Sequence, residues 1–87
     1  MTTDEIYANL TDIFREVFDD QQIVLHPDTT AADIADWDSF NHINIIVGAE
    51  TRFGIKFQTS EVESLKNVGD MVTTIERKLS TGRMVNA

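Results

Sequence analysis

The segment ADIADWDSFNHINIIVGAE, residues 32–50, contains the junction that decides how the chain folds. Its first half is polar and rich in aspartate, and its second half contains the longest uninterrupted apolar run of the chain, residues 45–49. Ser39 lies between the two halves and directly follows Asp38. Both residue types are favoured at the start of a helix, because their side chains accept hydrogen bonds from free backbone N–H groups. The segment therefore predicts that a long loop ends here and that a helix follows Ser39.

The apolar spacing on both sides of this junction predicts two long helices. The first begins at a capping box formed by Thr2 and Glu5, and it ends near residues 19–20. The second is the helix that follows the junction. It extends to residues 52–53, because Gly54 stops it.

A short third helix and a longer fourth helix are predicted in the last part of the chain. The third begins at Ser60, with a second capping box to Glu63, and the fourth follows Asn67, with Asp70 three residues further on. No segment shows convincing strand character. The predicted fold is all-α: a small helical bundle of three main helices plus one short helix, with a long loop between helices one and two.

That loop, residues 21–38, is long for a small domain, and loops of this length are usually functional. Leu25, Ile34 and Trp37 are the residues expected to anchor it across the bundle, and Pro27 fixes one turn. The loop would then deliver the junction serine to the start of the second helix.

Length and composition restrict the class of protein. The 87 residues make one domain, which we expect to span residues 1–80, with residues 81–87 as a disordered tail. The chain contains no cysteine, which excludes disulfides, thiolate metal sites and a cysteine nucleophile. No apolar run is long enough to cross a bilayer, and the first ten residues do not resemble a signal peptide. These features predict a cytoplasmic protein.

The negative charge is concentrated before the junction. Residues 1–40 carry ten acidic residues and one basic residue, giving −9, whereas residues 41–87 carry five acidic and six basic residues, giving +1. Such a field repels nucleic acid and anionic membranes and attracts basic protein surfaces. Acidity can also serve solubility alone, but its position before Ser39 favours protein partners, with no nucleic acid and no membrane.

Four roles of Ser39 are compatible with its residue type. As a helix cap it, or Asp38, would contribute about 1 kcal/mol. As a hydrolase nucleophile it would need a base, and His42 lies one turn away. That role is disfavoured, because the glycine-flanked nucleophile elbow is missing and triad partners normally come from separate segments.

The third role, in a calcium loop, fails on spacing. If Asp36 opened such a loop, Asn41 would occupy the glycine position and Val47 the position of the bidentate glutamate. We therefore predict no metal site. The fourth role is attachment of a phosphorylated group, since a helix N-terminus offers free amides and the positive end of the helix dipole.

The residues around Ser39 resemble those of acyl carrier proteins. Asp38-Ser39-Phe40 is similar to their Asp-Ser-Leu signature, whose serine carries 4′-phosphopantetheine. The resemblance continues through the isoleucines of the second helix and the segments ETRFGI (50–55), EVESL (61–65) and NVGDM (67–71). With the first helix matching in length and pattern, it covers most of the chain.

This resemblance implies a stand-alone carrier without catalytic activity of its own. Ser39 would bear the 4′-phosphopantetheine arm, taken from coenzyme A, with Asp36, Asp38 and Phe40 as near contacts. The implied partners are a phosphopantetheinyl transferase, an acyl-loading ligase or acyltransferase, and a ketosynthase or other acyl-processing enzymes of fatty-acid, polyketide or related biosynthesis. The carrier would be a monomer, and its cargo is left open.

Two groups of residues receive roles from the resemblance. The candidates for an acyl cleft are apolar and follow Ser39: Ile43, Ile46, Val47, Ile55, Phe57, Val62, Leu65 and Met71. The candidates for partner binding share one face of the second helix at 100° per residue: Asn41, Asn44, Gly48 and Arg52, with Thr51 beside them. Fatty-acid carriers typically show acidic residues on this face, so the departure predicts a dedicated carrier of a specialised pathway.

Two further residues near Ser39 depart from the pattern or call for comment. Phe40 replaces the leucine of the signature, and it would either pack on the arm or, as we favour, anchor the loop beside Trp37. His42 is expected to be an exposed helix residue near the arm without a catalytic role. The rival interpretation of the whole chain is an acidic helical adaptor in which Ser39 only caps its helix.

Overall fold

Four helices make up the described part of the chain. The computed structural model describes the backbone of residues 1–86 and the side chains of residues 1–80. The helices are α1 (Thr3–Phe18), α2 (Ser39–Phe53), α3 (Thr59–Ser64) and α4 (Val68–Asn86), with no strand in the described range. This confirms the predicted all-α bundle of three main helices and one short helix. Residues 19–38, between α1 and α2, are called the crossing loop below.

Both ends of α1 lie where the sequence predicts them. The Thr2 hydroxyl accepts a hydrogen bond from the Glu5 N–H (3.2 Å), and the Glu5 carboxylate accepts one from the Thr2 N–H (2.8 Å). The helix ends at Asp19, which has a left-handed backbone (φ 51°) and donates its N–H to the Arg15 carbonyl. Aspartate is one of the few residues besides glycine that visits this region. The inward face of α1 is fully or almost fully buried: Ile6, Leu10, Ile13 and Phe14.

α2 packs closely against α1, and Gly48 makes this possible. A Cβ atom at Gly48 would lie 2.9 Å from Cγ2 of the buried Ile13, which is closer than carbon atoms approach without displacement. A glycine inside a helix costs roughly 1 kcal/mol relative to alanine, and here the close approach of α1 offsets that cost. The buried residues of α2 lie on the side that faces the core: Ile45, Ile46, Ala49 and Phe53.

Apolar side chains hold the crossing loop to the bundle. Leu25 and Trp37 are each only 8% exposed, and Ile34 is partly buried against the core, so the three predicted anchors are confirmed. The Trp37 ring meets the Phe14 ring edge-on, with 5.1 Å between centroids. The loop has a fourth anchor that was not predicted, Ile23, which is also 8% exposed.

Backbone hydrogen bonds also hold the crossing loop, at the start of α4. The carbonyls of Pro27 and Thr29 accept hydrogen bonds from the N–H groups of Gly69 (2.8 Å) and Val68 (2.9 Å). These N–H groups have no partner inside the helix, so the loop supplies the acceptors that they need. A Cβ atom at Gly69 would lie 2.8 Å from the Pro27 carbonyl oxygen, so a side chain there would displace the loop.

The cap of α3 lies two residues earlier than predicted. The predicted cap at Ser60 is wrong: Gln58 is the capping residue, and the Glu61 carboxylate accepts a hydrogen bond from its N–H at 2.7 Å. In this register the same carboxylate also lies 2.7 Å from the Lys78 ammonium of α4, which stabilises it. None of the α3 residues is buried.

α4 begins as predicted, since the Asn67 side chain accepts a hydrogen bond from the Asp70 N–H at 2.8 Å. The predicted disorder of residues 81–87 concerns side chains that lie outside the described ones, and it stays a prediction. Throughout residues 1–86, each helix is too short or too polar to span a bilayer.

Candidate functional site

Ser39 is the first residue of α2, and it is exposed. Asp38 is the cap of this helix, because its carboxylate accepts a hydrogen bond from the Asn41 N–H at 2.9 Å. In the described part of the chain, no side chain bonds to the Ser39 hydroxyl. The hydroxyl is therefore free for modification, and the free N–H groups of the first turn favour a negative group beside it.

The last residues of the crossing loop are fastened to the first turn of α2. The Asp36 carbonyl accepts a hydrogen bond from the Asn41 amide at 2.8 Å, and the Asn41 side-chain oxygen accepts one from the Asn44 amide at 3.2 Å. Asp36 and Asp38 are exposed and lie on either side of Trp37. These contacts give Ser39 a defined position although it follows a long loop.

A groove of about 520 Å³ begins at Ser39 and is called the serine groove below. Its lining is partly apolar, formed by Ala31, Trp37, Ile43, Val62 and Leu65. The polar part of its lining is formed by Asp38, Ser39, His42, Glu63 and Lys66. A groove of this size and mixed chemistry can hold a flexible chain that has both amide and alkyl groups.

Of the eight residues predicted to line an acyl cleft, three line the serine groove. These are Ile43, Val62 and Leu65. The other five are two core residues, two partly buried residues and one exposed residue: Ile46, Met71, Ile55, Phe57 and Val47. Three of the predicted cleft residues therefore line the serine groove, and a role of the other five in an acyl cleft stays a prediction.

His42 is not the exposed residue that the sequence predicts. It is half-buried, and its Nδ1 accepts a hydrogen bond from Nε1–H of Trp37 at 3.1 Å. Its Nε2 lies 3.4 Å from the carbonyl oxygen of Val62 on α3. Sequence analysis missed this arrangement because it depends on where the crossing loop places the indole, for which the spacing of the two residues gives no signal.

Phe40 does not anchor the crossing loop, and the favoured prediction is wrong. It is 75% exposed, because it is the second residue of α2 and projects away from the core position that Trp37 occupies. Ile43 and Val47 follow it at helical spacing, and each is 53% exposed. These three residues form one exposed band, called the α2 apolar stripe below. Grouped exposed apolar residues of this kind indicate an interaction surface.

Two of the four residues predicted to bind partners face α1. Gly48 lies against Ile13, as described above. The Arg52 guanidinium lies 3.7 Å from the carboxylates of both Asp12 and Glu16 on α1. Gly48 and Arg52 thus have roles within the fold, and partner binding by the four residues stays a prediction.

The rest of the outer face of α2 is neutral. Asn44 and Thr51 are exposed, and Asn41 is half-exposed. The one acidic residue of α2, Glu50, turns its carboxylate to the backbone, where it accepts a hydrogen bond from the Phe57 N–H at 2.9 Å. α2 therefore presents neither a free acid nor a free base next to its apolar stripe.

Known proteins with similar sequences are acyl carrier proteins. The chain is 33% identical over 75 residues to the acyl carrier protein of Acidothermus cellulolyticus, covering 86% of this chain and 89% of that protein. It is 36% identical over 73 residues to the acyl carrier protein of Micrococcus luteus, with coverages of 84% and 90%. It is 31% identical over 77 residues to the meromycolate extension acyl carrier protein of Mycobacterium leprae, with coverages of 88% and 67%. No family model matches the chain.

A solved structure is also similar. The solution NMR structure of a holo acyl carrier protein from Geobacter metallireducens superposes with a TM-score of 0.83 and is 46% identical, covering 95% of this chain and 91% of that one. The chain therefore belongs to the acyl carrier protein family. Membership confirms three predictions at the level of the family: the carrier function, the phosphopantetheine cofactor and the absence of catalytic activity of its own.

Proposed function

We propose that Ser39 carries the 4′-phosphopantetheine arm and that residues 1–80 form the carrier domain. The observation that supports this most directly is the exposed hydroxyl of Ser39 at the first position of α2, with Asp38 doing the capping. Because the Asp38 carboxylate already caps α2 through the Asn41 N–H, Ser39 is not needed as the cap. The adaptor interpretation, in which Ser39 is only a cap, is correspondingly disfavoured.

The residues around Ser39 fit the arm. The free N–H groups at the start of α2 suit a phosphodiester on the hydroxyl. The serine groove combines hydrogen-bonding and apolar lining, which suits the amide and alkyl parts of pantetheine. When bound, the arm supplies the thiol on which an acyl group is held as a thioester, and the chain has no cysteine to supply one.

Intact mass measurement tests the attachment. The protein is incubated with coenzyme A, magnesium and a broad-specificity phosphopantetheinyl transferase, alongside Ser39→Ala. We expect the wild type alone to gain one phosphopantetheine. The variant should stay folded, with a stability change within about 0.5 kcal/mol, because the hydroxyl makes no contact that the helix needs. A folded apo wild type that gains no mass would overturn the proposal.

Partner enzymes, the transferase among them, are proposed to dock on the α2 apolar stripe. Phe40, Ile43 and Val47 begin one residue after Ser39 and continue along the same helix, so an enzyme that contacts them also reaches the attachment point. The rim of the stripe is neutral, since Arg52 and Glu50 are engaged within the fold. Docking should therefore depend on apolar contact more than on charge, and this supports a dedicated pathway.

Val47→Asn tests this surface. We expect the kcat/KM of arm transfer to fall roughly tenfold, the effect of losing one central apolar contact of an interface. Val24→Asn is the matched control, because Val24 is also an exposed valine (61%) but lies in the crossing loop away from Ser39. Equal losses for both variants, or a rate that falls steeply with salt although the stripe is intact, would contradict the assignment.

The location, the oligomeric state and the partner enzymes are proposed from the carrier role. We propose a cytoplasmic, monomeric carrier that is loaded by an acyl ligase or acyltransferase and serves a ketosynthase or related acyl-processing enzyme.

A further inference from the structure

Three segments of the chain are joined at His42. The indole Nε1–H of Trp37, in the crossing loop, donates to His42 Nδ1 at 3.1 Å. His42 Nε2, on α2, lies 3.4 Å from the carbonyl oxygen of Val62 on α3. The Trp37 and His42 rings are nearly parallel, at 21°, with 6.0 Å between centroids. Both nitrogens of the His42 imidazole are thus engaged, Nδ1 with the crossing loop and Nε2 with α3.

The direction of these hydrogen bonds is determined by the indole. A tryptophan Nε1 can only donate, so Nδ1 of His42 must be the acceptor and the ring proton of the neutral imidazole lies on Nε2. Nε2–H can then donate to the Val62 carbonyl. Val62 lies near the C-terminus of α3, where carbonyl groups lack partners within the helix, so this contact satisfies an acceptor that α3 leaves free.

α3 has few other attachments. None of its residues is fully buried, and Val62 is the one apolar residue of α3 that packs, partly buried, against the core. On its other side, the Glu61 carboxylate lies 2.7 Å from Lys78 and 3.8 Å from Arg77 of α4. The position of α3 against α2 therefore depends on this partial packing and on the contact between His42 and Val62.

The same residues belong to the lining of the serine groove. Trp37, His42 and Val62 all line it, together with Ser39. Behind them, Trp37 packs edge-on against Phe14, which is fully buried. An alkyl chain attached through Ser39 can pass deeper between α2 and α3 only by displacing α3 from His42, which leaves the Val62 carbonyl and the imidazole without their partners.

We propose that the hydrogen-bond chain Trp37–His42–Val62 holds α3 against α2 and closes the inner end of the serine groove, so that a long acyl chain on the arm stays outside the bundle, with His42 setting the limit of chain length. The inference rests on the proposed attachment at Ser39. It concerns where the acyl chain of the cargo lies, and it names a specificity-determining residue on α2.

Protection of the thioester against chemical cleavage tests the proposed limit on acyl chain length. Wild type and His42→Leu are each loaded with acetyl- or octanoyl-phosphopantetheine from the corresponding coenzyme A thioesters, and mass measurement verifies loading. Cleavage by hydroxylamine is then timed. In the wild type, we expect the two thioesters to be cleaved at similar rates. In His42→Leu the octanoyl thioester should be cleaved about tenfold more slowly than the acetyl one. This ratio corresponds to an octanoyl thioester that is exposed to hydroxylamine in only about a tenth of the molecules.

His26→Leu is the matched control. His26 is the other histidine of the chain, and it is exposed in the crossing loop. It should behave as the wild type does. The proposal is overturned if the wild type already protects octanoyl tenfold, or if His42→Leu protects neither thioester. A wild type that takes up no arm at all contradicts the attachment instead, and the mass measurement separates these two failures.

A measurement on the unmodified wild type decides the matter if His42→Leu does not fold. Long-range ¹H–¹⁵N NMR spectra of the neutral imidazole distinguish its two tautomers. We expect a bare Nδ1 and a protonated Nε2, together with a slowly exchanging indole N–H at Trp37. The opposite tautomer, or a freely exchanging indole proton, would overturn the proposed hydrogen-bond chain, as would strong protection of octanoyl in the wild type.

Discussion

The two sides of α2 are held by different kinds of contact. On the α1 side, apolar surfaces meet so closely that only glycine fits at position 48, against the buried Ile13. On the α3 side, no α3 residue is fully buried, and Val62 packs only partly against the core. The polar contacts of α3 are the His42–Val62 hydrogen bond and, toward α4, the ion pair of Glu61 with Lys78. A close-packed seam resists any local change, whereas a helix held by a few polar contacts can open while the rest stays folded.

This difference has a direct bearing on function. Ser39 lies on the rigid helix, so the attachment point keeps its position whatever α3 does. Val62 and Leu65 form the opposite wall of the serine groove, and they belong to or follow the weakly held helix. The carrier thus combines a fixed anchor for its arm with one wall that a cargo or a partner enzyme can displace.

The largest expected effect on stability is that of a substitution at the contact between α1 and α2. In Gly48→Val, the new side chain collides with Ile13, so we expect the free energy of unfolding to fall by about 1–3 kcal/mol. For a domain of this size, that lowers Tm by about 4–8 °C per kcal/mol, measurable by thermal denaturation followed by circular dichroism.

Thr51→Val is the matched control for this prediction, because Thr51 is exposed on the same helix and also receives a β-branched apolar side chain. Its stability should change by no more than about 0.5 kcal/mol. A Gly48→Val protein as stable as the control would mean that the α1–α2 seam has room that the structure does not show.

A smaller and local effect is expected on the α3 side. Glu61→Gln removes the charge that pairs with Lys78 but keeps an acceptor for the Gln58 N–H. Global stability should fall by less than about 1 kcal/mol. Amide hydrogen exchange should become faster in α3 and stay unchanged in α1, whereas Glu63→Gln, at an exposed residue of the same helix, should change neither. Equal acceleration in α1 and α3 would show that both helices open only together.

The same contact predicts a dependence on pH. The hydrogen bond from the Gln58 backbone, followed by Lys78, lowers the pKa of Glu61 below its ordinary value of 4.5. A lowered pKa stabilises the folded form above pH 4.5, and this contribution is lost as the pH falls through the folded-state pKa. Protection of α3 amides, corrected for intrinsic exchange, should therefore weaken below pH 4.5 in the wild type. It should not do so in Glu61→Gln.

Local signals explain what could be predicted from the sequence. The bounds of α1 and α2 follow from residues that act within one turn, such as the box of Thr2 with Glu5 and the left-handed Gly54. The cap of α3 was mispredicted because QTSEVES offers two overlapping boxes, and the choice falls to the one whose glutamate also reaches Lys78. Because Lys78 lies on another helix, the local sequence pattern gives no indication of this contact.

In the candidate site, too, the features that could be predicted from the sequence are the local ones. Ser39 and Asp38 were identified because they sit where a loop meets a helix, which is a local feature. Phe40 and His42 were misplaced because their surroundings depend on how the crossing loop folds back over the bundle. Trp37 is buried against the core, whereas Phe40, predicted to anchor the loop beside it, is exposed. The Trp37 indole donates a hydrogen bond to His42.

The fastening of the crossing loop to α4 also has a consequence for the order of folding. The first amides of α1 and α2 find their acceptors within a few residues, at Thr2 and Asp38. The amides of Val68 and Gly69 instead use the carbonyls of Thr29 and Pro27, from a distant part of the chain. Contacts that close long loops are formed late. In pulse-labelling during refolding, these two amides should gain protection last, so the step that orders the loop would also be the step that completes the native chain.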